Sequence, residues 1–338
     1  MLKIISKIDE LQNEINRFRP FDPSLEQKLQ ERLRAEWTYN SNAIEGNSLT
    51  FGETIFFLRE GLTSEGRPLK DYLEAKNHAE AIDGLHDIVI QRRELTEGLI
   101  KELHAVLLRG SEFTEALGDN GVVVHKPVSA GQYKIRPNHV LTLSGKIHHY
   151  AEPLHVKEAM EKLLLWYHQT KEMHPVENGA LFHYRFVEIH PFDDGNGRLA
   201  RLLMNLILMQ SGYPPCIIQM ARRRKYLEAL EATDRSGETT SFVSFVAEEL
   251  LSTQQTILEI LTGQDSGLRA GEKSPLNREE RERLLLNIIS KEELSISQVQ
   301  SRLPQVKRPT LKSDLQRLVR VGRLKRRGTG KGVVYLIS

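Results

Sequence analysis

Apolar residues recur at three- and four-residue intervals through most of the chain, and that period predicts helices. The clearest runs are LEQKLQERLRAEWTYNSNAIE (25–45) and LKDYLEAKNHAEAIDGLHDIVIQ (69–91). The first segment, MLKIISKIDELQNEINRF, mixes charges with its apolar residues, so it reads as a helix and not as a signal peptide. Between 118 and 153 the pattern changes. Gly118, Gly121, Gly131 and Gly145 punctuate short β-leaning pieces, VVV at 122–124 and HVLTL at 139–143. A loop and hairpin set into a helical body are expected there. Helical spacing returns in VKEAMEKLLLWYHQT (156–170), NGALFHYRFVEI (178–189) and LARLLMNLILMQ (199–210).

The stretch TGQDSGLRAGEKSP (262–275) is polar and glycine-bearing and marks a linker. After it the pattern runs helix, helix, helix, strand, strand, the order of a winged helix-turn-helix. The expected organisation is an N-terminal helical region at 1–95, a core at 96–261, a linker at 262–276 and the winged helix at 277–338. The fold class is mainly α, with a small β-hairpin and a β-wing.

Charge sharpens this division. The net charge of +2 over 338 residues hides an asymmetry. From Arg269 to Ser338 there are 17 Lys/Arg against 7 Asp/Glu, while the rest of the chain has 30 against 38. A surplus of that size on a small domain is the footprint of a nucleic-acid binder, or else a solvated surface. The apolar share of 39% suits a soluble protein with real cores. The single cysteine, Cys216, excludes an internal disulfide framework and fits a reducing, cytoplasmic setting. No apolar run reaches the ~18 residues of a membrane span.

The strongest chemical signal is HPFDDGNGRLAR, residues 190–201. It lies between two apolar helical runs, so it is a tight loop feeding a helix N-terminus. Backbone N–H groups at a helix start are unsatisfied and carry the positive end of the dipole, which suits phosphate. Gly195 and Gly197 let the backbone approach an anion closely. Arg198 and Arg201 are three apart and share one side of the first turn, where guanidinium forks bind phosphate oxygens. Asp194 offers a hard oxygen to Mg²⁺, which binds through one or two carboxylates plus nucleotide phosphates. His190 is the residue here suited to general-base work near neutral pH.

These residues resemble the signature of the Fic family, HPFx(D/E)GNGRxxR, at every defined position. The resemblance extends over roughly residues 30–260. It implies a Fic helical fold with a β-hairpin flap and a protein adenylyltransferase that moves AMP from Mg-ATP onto a target's Ser, Thr or Tyr hydroxyl. His190 would deprotonate that hydroxyl, and Asp194 would hold Mg²⁺. Gly195, Asn196, Gly197 and Arg198 would form the anion hole, with the Asn196 and Arg198 side chains reaching phosphate oxygens. Arg201 would hold the γ-phosphate. Pro191 and Phe192 would set and anchor the loop.

A second segment, SNAIEGN (41–47), resembles the family's inhibitory motif (S/T)xxxE(G/N) at Ser41, Glu45 and Gly46. Its place before the core implies the class whose inhibitory helix is N-terminal. A bidentate pair of Glu45 with Arg201 would occupy the arginine needed for the γ-phosphate. In that class the same glutamate also places water for removing AMP, and the sequence leaves both directions open. Residues 131–153 resemble the flap that pairs with the target by strand addition. Its start, Gly131-x-Tyr133-Lys134, has lysine in place of the usual arginine. The segment 222–238 resembles the piece that closes over adenine, with Tyr226 either a base contact or core. Family members of this class often form homodimers, so a dimer is also expected.

In the C-terminal domain, 308–318 would be the recognition helix, with Thr310, Lys312 and Ser313 as readers. Residues 326–331 would be the wing following DNA phosphates. The same fold also docks proteins, so DNA and a protein remain alternatives. The rival to the enzyme is a transcriptional regulator that senses nucleotide and catalyses little. His190 argues against it, because a sensor needs the arginines and glycines but no general base. UMP transfer stays open, since the motif reads phosphates and not the base.

Overall fold

The computed structural model describes residues 2–117, 123–141, 147–263, 278–289, 293–303, 306, 308–328 and 333–337. Two compact units emerge, each built from two stretches of chain. Unit 1 is Met1–Asn47 with Leu73–Thr262, and unit 2 is Ser48–Tyr72 with Gly263–Ser338. Most of the expected linker and residues 329–331 of the expected wing lie outside the described residues. No described helix is long and apolar enough to cross a membrane.

Unit 1 opens with α1 (Leu2–Asn16) and α2 (Pro23–Ile44). Helix α2 starts because Asp22 accepts from the backbone N–H groups of Ser24 and Leu25, with Pro23 in the first turn. It stops at Glu45, followed by Gly46 at φ 96°. Helices α4 (Leu69–Ile90) and α5 (Glu97–Leu107) follow later, α5 capped by Thr96. Then come two hairpins, β1 (Phe113–Leu117) with β2 (Val123–Pro127), and β3 (His139–Leu141) with β4 (Ile147–His149). Both are antiparallel, with Phe113 opposite Pro127 and Val140 opposite His148. One hairpin was expected; the additional strand β1 lies ahead of the glycine-punctuated segment that signalled it.

The remaining helices of unit 1 are α6 (Pro153–Gln169), α7 (Pro175–Ile189), α8 (Asn196–Gln210), α9 (Arg223–Ser236) and α10 (Thr240–Leu261). Helices α7 and α8 pack between two apolar cores. One core gathers Ile82, Leu85, Leu103, Phe186, Phe192 and Leu203. The other gathers Ile8, Val176, Met204, Phe242, Val246 and Leu250. Helix α8 is therefore buried all round from Leu199 to Leu208, and its polar stripe, Arg201 and Asn205, is buried with it. The α7–α8 connection, residues 190–195, is pinned at both ends by these cores.

Unit 2 contains α3 (Phe51–Glu60), α11 (Arg278–Ile289), β5 (Leu294–Ser295), α12 (Ile296–Arg302), α13 (Arg308–Arg320), β6 (Leu324–Arg327) and β7 (Val334–Ile337). The strands form an antiparallel sheet in the order β5-β7-β6. Thr50 and Glu53 start α3 with a reciprocal capping box. Residues 48–72, expected with the N-terminal region, cluster instead with the C-terminal elements. Phe56 is fully buried among Leu284, Leu285, Ile288, Leu311 and Leu315. Asn287 adds a side-chain bond to the carbonyl of Thr63 at 2.9 Å.

Replacing Phe56 by alanine should cost about 3–5 kcal/mol by opening a cavity in this core. The expected readout is a lower denaturant midpoint for unit 2, with earlier proteolysis within 48–72.

Candidate active site

Helix α7 delivers the first motif residue. It ends at His190, whose backbone is left-handed (φ 50°, ψ 60°) and whose N–H donates to the carbonyl of Phe186. A left-handed non-glycine residue costs on the order of 1 kcal/mol, so packing must hold it. Phe192, two residues on, supplies that anchor. It is fully buried and stacks on His104 with ring centroids 3.8 Å apart.

His104 ties three pieces together. Its Nδ1 accepts from the Gly131 N–H at 2.8 Å. That leaves the proton on Nε2, which donates to the carbonyl of Asp194 at 3.0 Å. The start of the flap segment and the metal-candidate aspartate are thus fixed by one neutral imidazole. Burial holds its pKa down at about 4. Further ties run from Lys134 N–H to the Pro191 carbonyl (2.9 Å) and from Asn138 Nδ2 to the Phe192 carbonyl (2.7 Å).

Asn196 closes the loop on itself. Its Oδ1 accepts from the Phe192 N–H (3.0 Å), and its Nδ2 donates to the Phe192 carbonyl (2.8 Å). Both amide atoms shape the loop, and Nδ2 carries a second N–H besides the one given to Phe192. Gly195 is left-handed (φ 73°), and a Cβ there would fall 2.6 Å from Leu108 Cδ2. Among the described residues no side chain caps the N-terminus of α8. Its first N–H groups are therefore available to an anion.

Both motif arginines are buried. Arg201 donates from Nε to Ser41 Oγ (3.0 Å) and from Nη2 to the Ser41 carbonyl (2.8 Å) and Glu45 Oε1 (2.8 Å). The expected bidentate Glu45–Arg201 pair is a single bond, because Ser41 takes the rest of that side of the fork. Glu45 Oε1 rests against Gly197, in the space a Cβ would fill. An anionic oxygen already sits where the glycine leaves room for one. Arg198 Nη1 lies 3.2 Å from Glu74 Oε1, and its Nη2 lies 3.6 Å from Asp194 Oδ1. Arg198 Nε, Arg201 Nη1 and His190 Nδ1 are buried without a partner among the described residues.

His190 keeps part of its edge open, yet its surroundings disfavour charge. Desolvation lowers its pKa to about 3, with the Lys134 cation adding to the effect. One face of the ring stacks on Tyr150, centroids 3.9 Å apart. Burial also lowers Lys134, to about 8, against the pull of Glu152 and Asp193. Tyr226 is buried in the second core, with its hydroxyl 3.0 Å from His183 Nε2 and its ring 5.9 Å from the Arg201 guanidinium.

The structure therefore brings together Ser41, Glu45, His190, Asp194, Gly195, Asn196, Gly197, Arg198 and Arg201, with Tyr226 behind Arg201. Sequence reasoning missed His104, Glu74, Asn138 and Tyr150. A signal existed for His104, which lies on the buried face of α5 with Leu99, Ile100, Leu103 and Leu107. For Glu74 there was none, since a glutamate on a polar helix is ordinary.

The fold and the loop define a class. Residues 94–208 match the model of the Fic/DOC family. A crystal structure of a Fic domain containing signaling protein from Bacteroides thetaiotaomicron is 32% identical. It covers 76% of this chain and 97% of its own, with a TM-score of 0.68. The chain belongs to the Fic/DOC family. It is also 30% identical over 282 residues to the protein adenylyltransferase fic-1 of Caenorhabditis briggsae, covering 82% of this chain and 51% of that one. A Fic family protein from Desulfovibrio desulfuricans, 23% identical, covers 100% of this chain and 95% of its own at a TM-score of 0.59, a likeness of fold. The chain spans about half the length of the curated relatives it matches.

The His104 network carries a pH signature. A histidine held at about 4 when folded, against 6.5 when free, lets the unfolded chain take up its proton first as pH falls. Its contribution is present above pH 6.5 and is lost progressively as pH falls toward 4. Wild-type stability should drop between pH 7 and 5 in denaturant titrations, and His104→Gln should flatten that slope by on the order of 1–2 kcal/mol.

Proposed function

We propose that the chain is a protein adenylyltransferase that moves AMP from ATP onto a hydroxyl side chain of a target protein, and that Glu45 holds it off. The observation that carries this reading is the contact of Glu45 Oε1 with both Arg201 Nη2 and the Gly197 cradle. A carboxylate oxygen there occupies ground built for a phosphate oxygen. Relatives named as protein adenylyltransferases support the same chemistry.

In the forward step the target oxygen attacks the α-phosphorus while His190 accepts its proton. The bond from that phosphorus to the bridging oxygen breaks, and pyrophosphate leaves. The neutral imidazole has a lone pair to offer, and arriving phosphate charge raises its basicity. Arg198, Arg201 and the α8 N-terminus stabilise charge on the phosphates. Tyr226 and Ser41 fix the Arg201 fork. Asn196 acts through loop shape. Asp194 fits Mg²⁺ as a single protein carboxylate beside phosphate oxygens, and the described residues contain no cluster of three or more His, Cys, Asp or Glu able to hold a metal. When bound, that ion neutralises phosphate charge. The placement of Ser41 and Glu45 on Arg201 at the end of α2 supports the class with an N-terminal inhibitory helix.

The C-terminal elements read as a winged helix that binds duplex DNA. Helix α13 exposes Lys312, Ser313 and Arg320, while its one carboxylate, Asp314, is buried on Arg281. Strand β6 exposes Lys325, Arg326 and Arg327. Replacing Lys312 and Arg320 by alanine should weaken binding to any duplex and lower the salt slope by about one per lost phosphate contact.

Purified protein with Mg²⁺ and ATP labelled at the α-phosphate tests the main reading. Faint label is expected on wild type, at least tenfold more on Glu45→Gly, and none on Glu45→Gly with His190→Ala. The gain is on the scale of one buried charge-assisted bond. A Glu45→Gly protein that binds ATP yet labels neither itself nor a lysate would sink the transferase reading and favour the nucleotide sensor.

A further inference from the structure

Two carboxylates face the two motif arginines. Glu45 engages Arg201, while Glu74 engages Arg198 through Oε1. The other oxygen of Glu74 accepts from Asn47 Nδ2 at 2.9 Å. Asn47 lies two residues beyond Glu45, and its N–H donates back to the Asn42 carbonyl at 3.1 Å. A continuous chain of contacts thus runs from Arg201 through Glu45 and the end of α2 to Asn47, Glu74 and Arg198.

The turn between Glu45 and Asn47 is held at its backbone by bonds from the Glu45 N–H to the Asn42 carbonyl and from the Gly46 N–H to the Ala43 carbonyl, both 3.0 Å. Gly46 sits at φ 96°, and a Cβ there would meet nothing within 4 Å. Glu45 itself has a side chain 40% exposed, against 13% for Glu74 and 4% for Arg198. The better-shielded end of this chain of contacts is therefore Glu74, fixed by a buried cation. Asn47 transmits that fixity to the exposed brake.

We infer that Asn47 and Glu74 form a latch that keeps Glu45 engaged. They are positioning residues, acting on Arg201 only through Glu45, and the inference rests on the reading of Glu45 as a brake. The latch also stands where the chain leaves unit 1 after Asn47 and re-enters it at Leu73, next to Glu74. On the unit 2 side of that neck, Ser48 donates its N–H to Asp71 Oδ2 at 2.9 Å and its hydroxyl to the same oxygen. Two hydrogen-bonded rungs, one in each unit, close the base of the excursion 48–72.

The test is a mutant cycle on the full chain, read as label transferred from ATP carrying ³²P at the α-phosphate. Five forms are compared: wild type, Asn47→Ala, Asn47→Asp, Glu45→Gly and the Asn47→Ala, Glu45→Gly double variant. Loss of the rung should raise wild-type labelling about fivefold, the scale of one net hydrogen bond. On the Glu45→Gly background Asn47→Ala should change nothing, because no brake remains to release. Asn47→Asp keeps the shape but sets two carboxylates together, and it should release at least as much. The latch is wrong if both Asn47 variants leave wild-type labelling unchanged while Glu45→Gly is bright. It is equally wrong if Asn47→Ala lowers labelling alike in both backgrounds, which marks a merely structural role. A dark Glu45→Gly protein that still binds ATP removes the brake reading itself, and the latch falls with it.

Discussion

A buried guanidinium must be matched by oxygens, and Arg201 organises the site around that requirement. It sits on a helix surrounded by apolar side chains, where an unpaired charge would cost several kcal/mol. Burial alone would lower its pKa, and the neighbouring Glu45 carboxylate raises it instead. In this structure its oxygens come from one short segment, Ser41 and Glu45 at the end of α2. Glu45 and Arg201 are therefore paired in this structure. A carboxylate held there offsets a charge that burial would otherwise leave unpaired.

The loop around that arginine is made rigid before any ligand arrives. Phe192 anchors it in the core, His104 bonds the Asp194 carbonyl, and Asn196 bridges it to itself. These contacts fix backbone, and they leave Arg198 Nε, Arg201 Nη1 and His190 Nδ1 without partners among the described residues. Such a division suits transfer at phosphorus, where positioning and charge stabilisation carry most of the rate.

The chain passes out of unit 1 between the two arginine-bearing contacts and returns beside one of them. The residues between, 48–72, share a core with the C-terminal helices. The segment that carries Glu45 continues directly into another compact unit. The order of residues Glu45, Asn47 and Ser48 makes this a property of connectivity.

Much of this protein was legible in its residues. Helical periodicity located the main helices, and the twelve residues 190–201 located the loop, its histidine, its arginines and its glycines. Local chemistry explains that legibility: a helix start after a glycine-bearing turn has an intrinsic use, and nothing distant is needed to define it. Pairings across the chain were decided by tertiary structure. Whether Glu45 meets Arg201 by one bond or two depends on Ser41 sharing the fork. That Asn196 bridges the loop depends on Phe192 being near enough to bond its amide. Glu74 and His104 could be assigned only once α4 and α5 were packed against α8 and the loop, because a single charged or polar side chain carries no record of what it will face. The membership of 48–72 in the C-terminal unit had the same cause, since Phe56 signals burial but not the core that receives it.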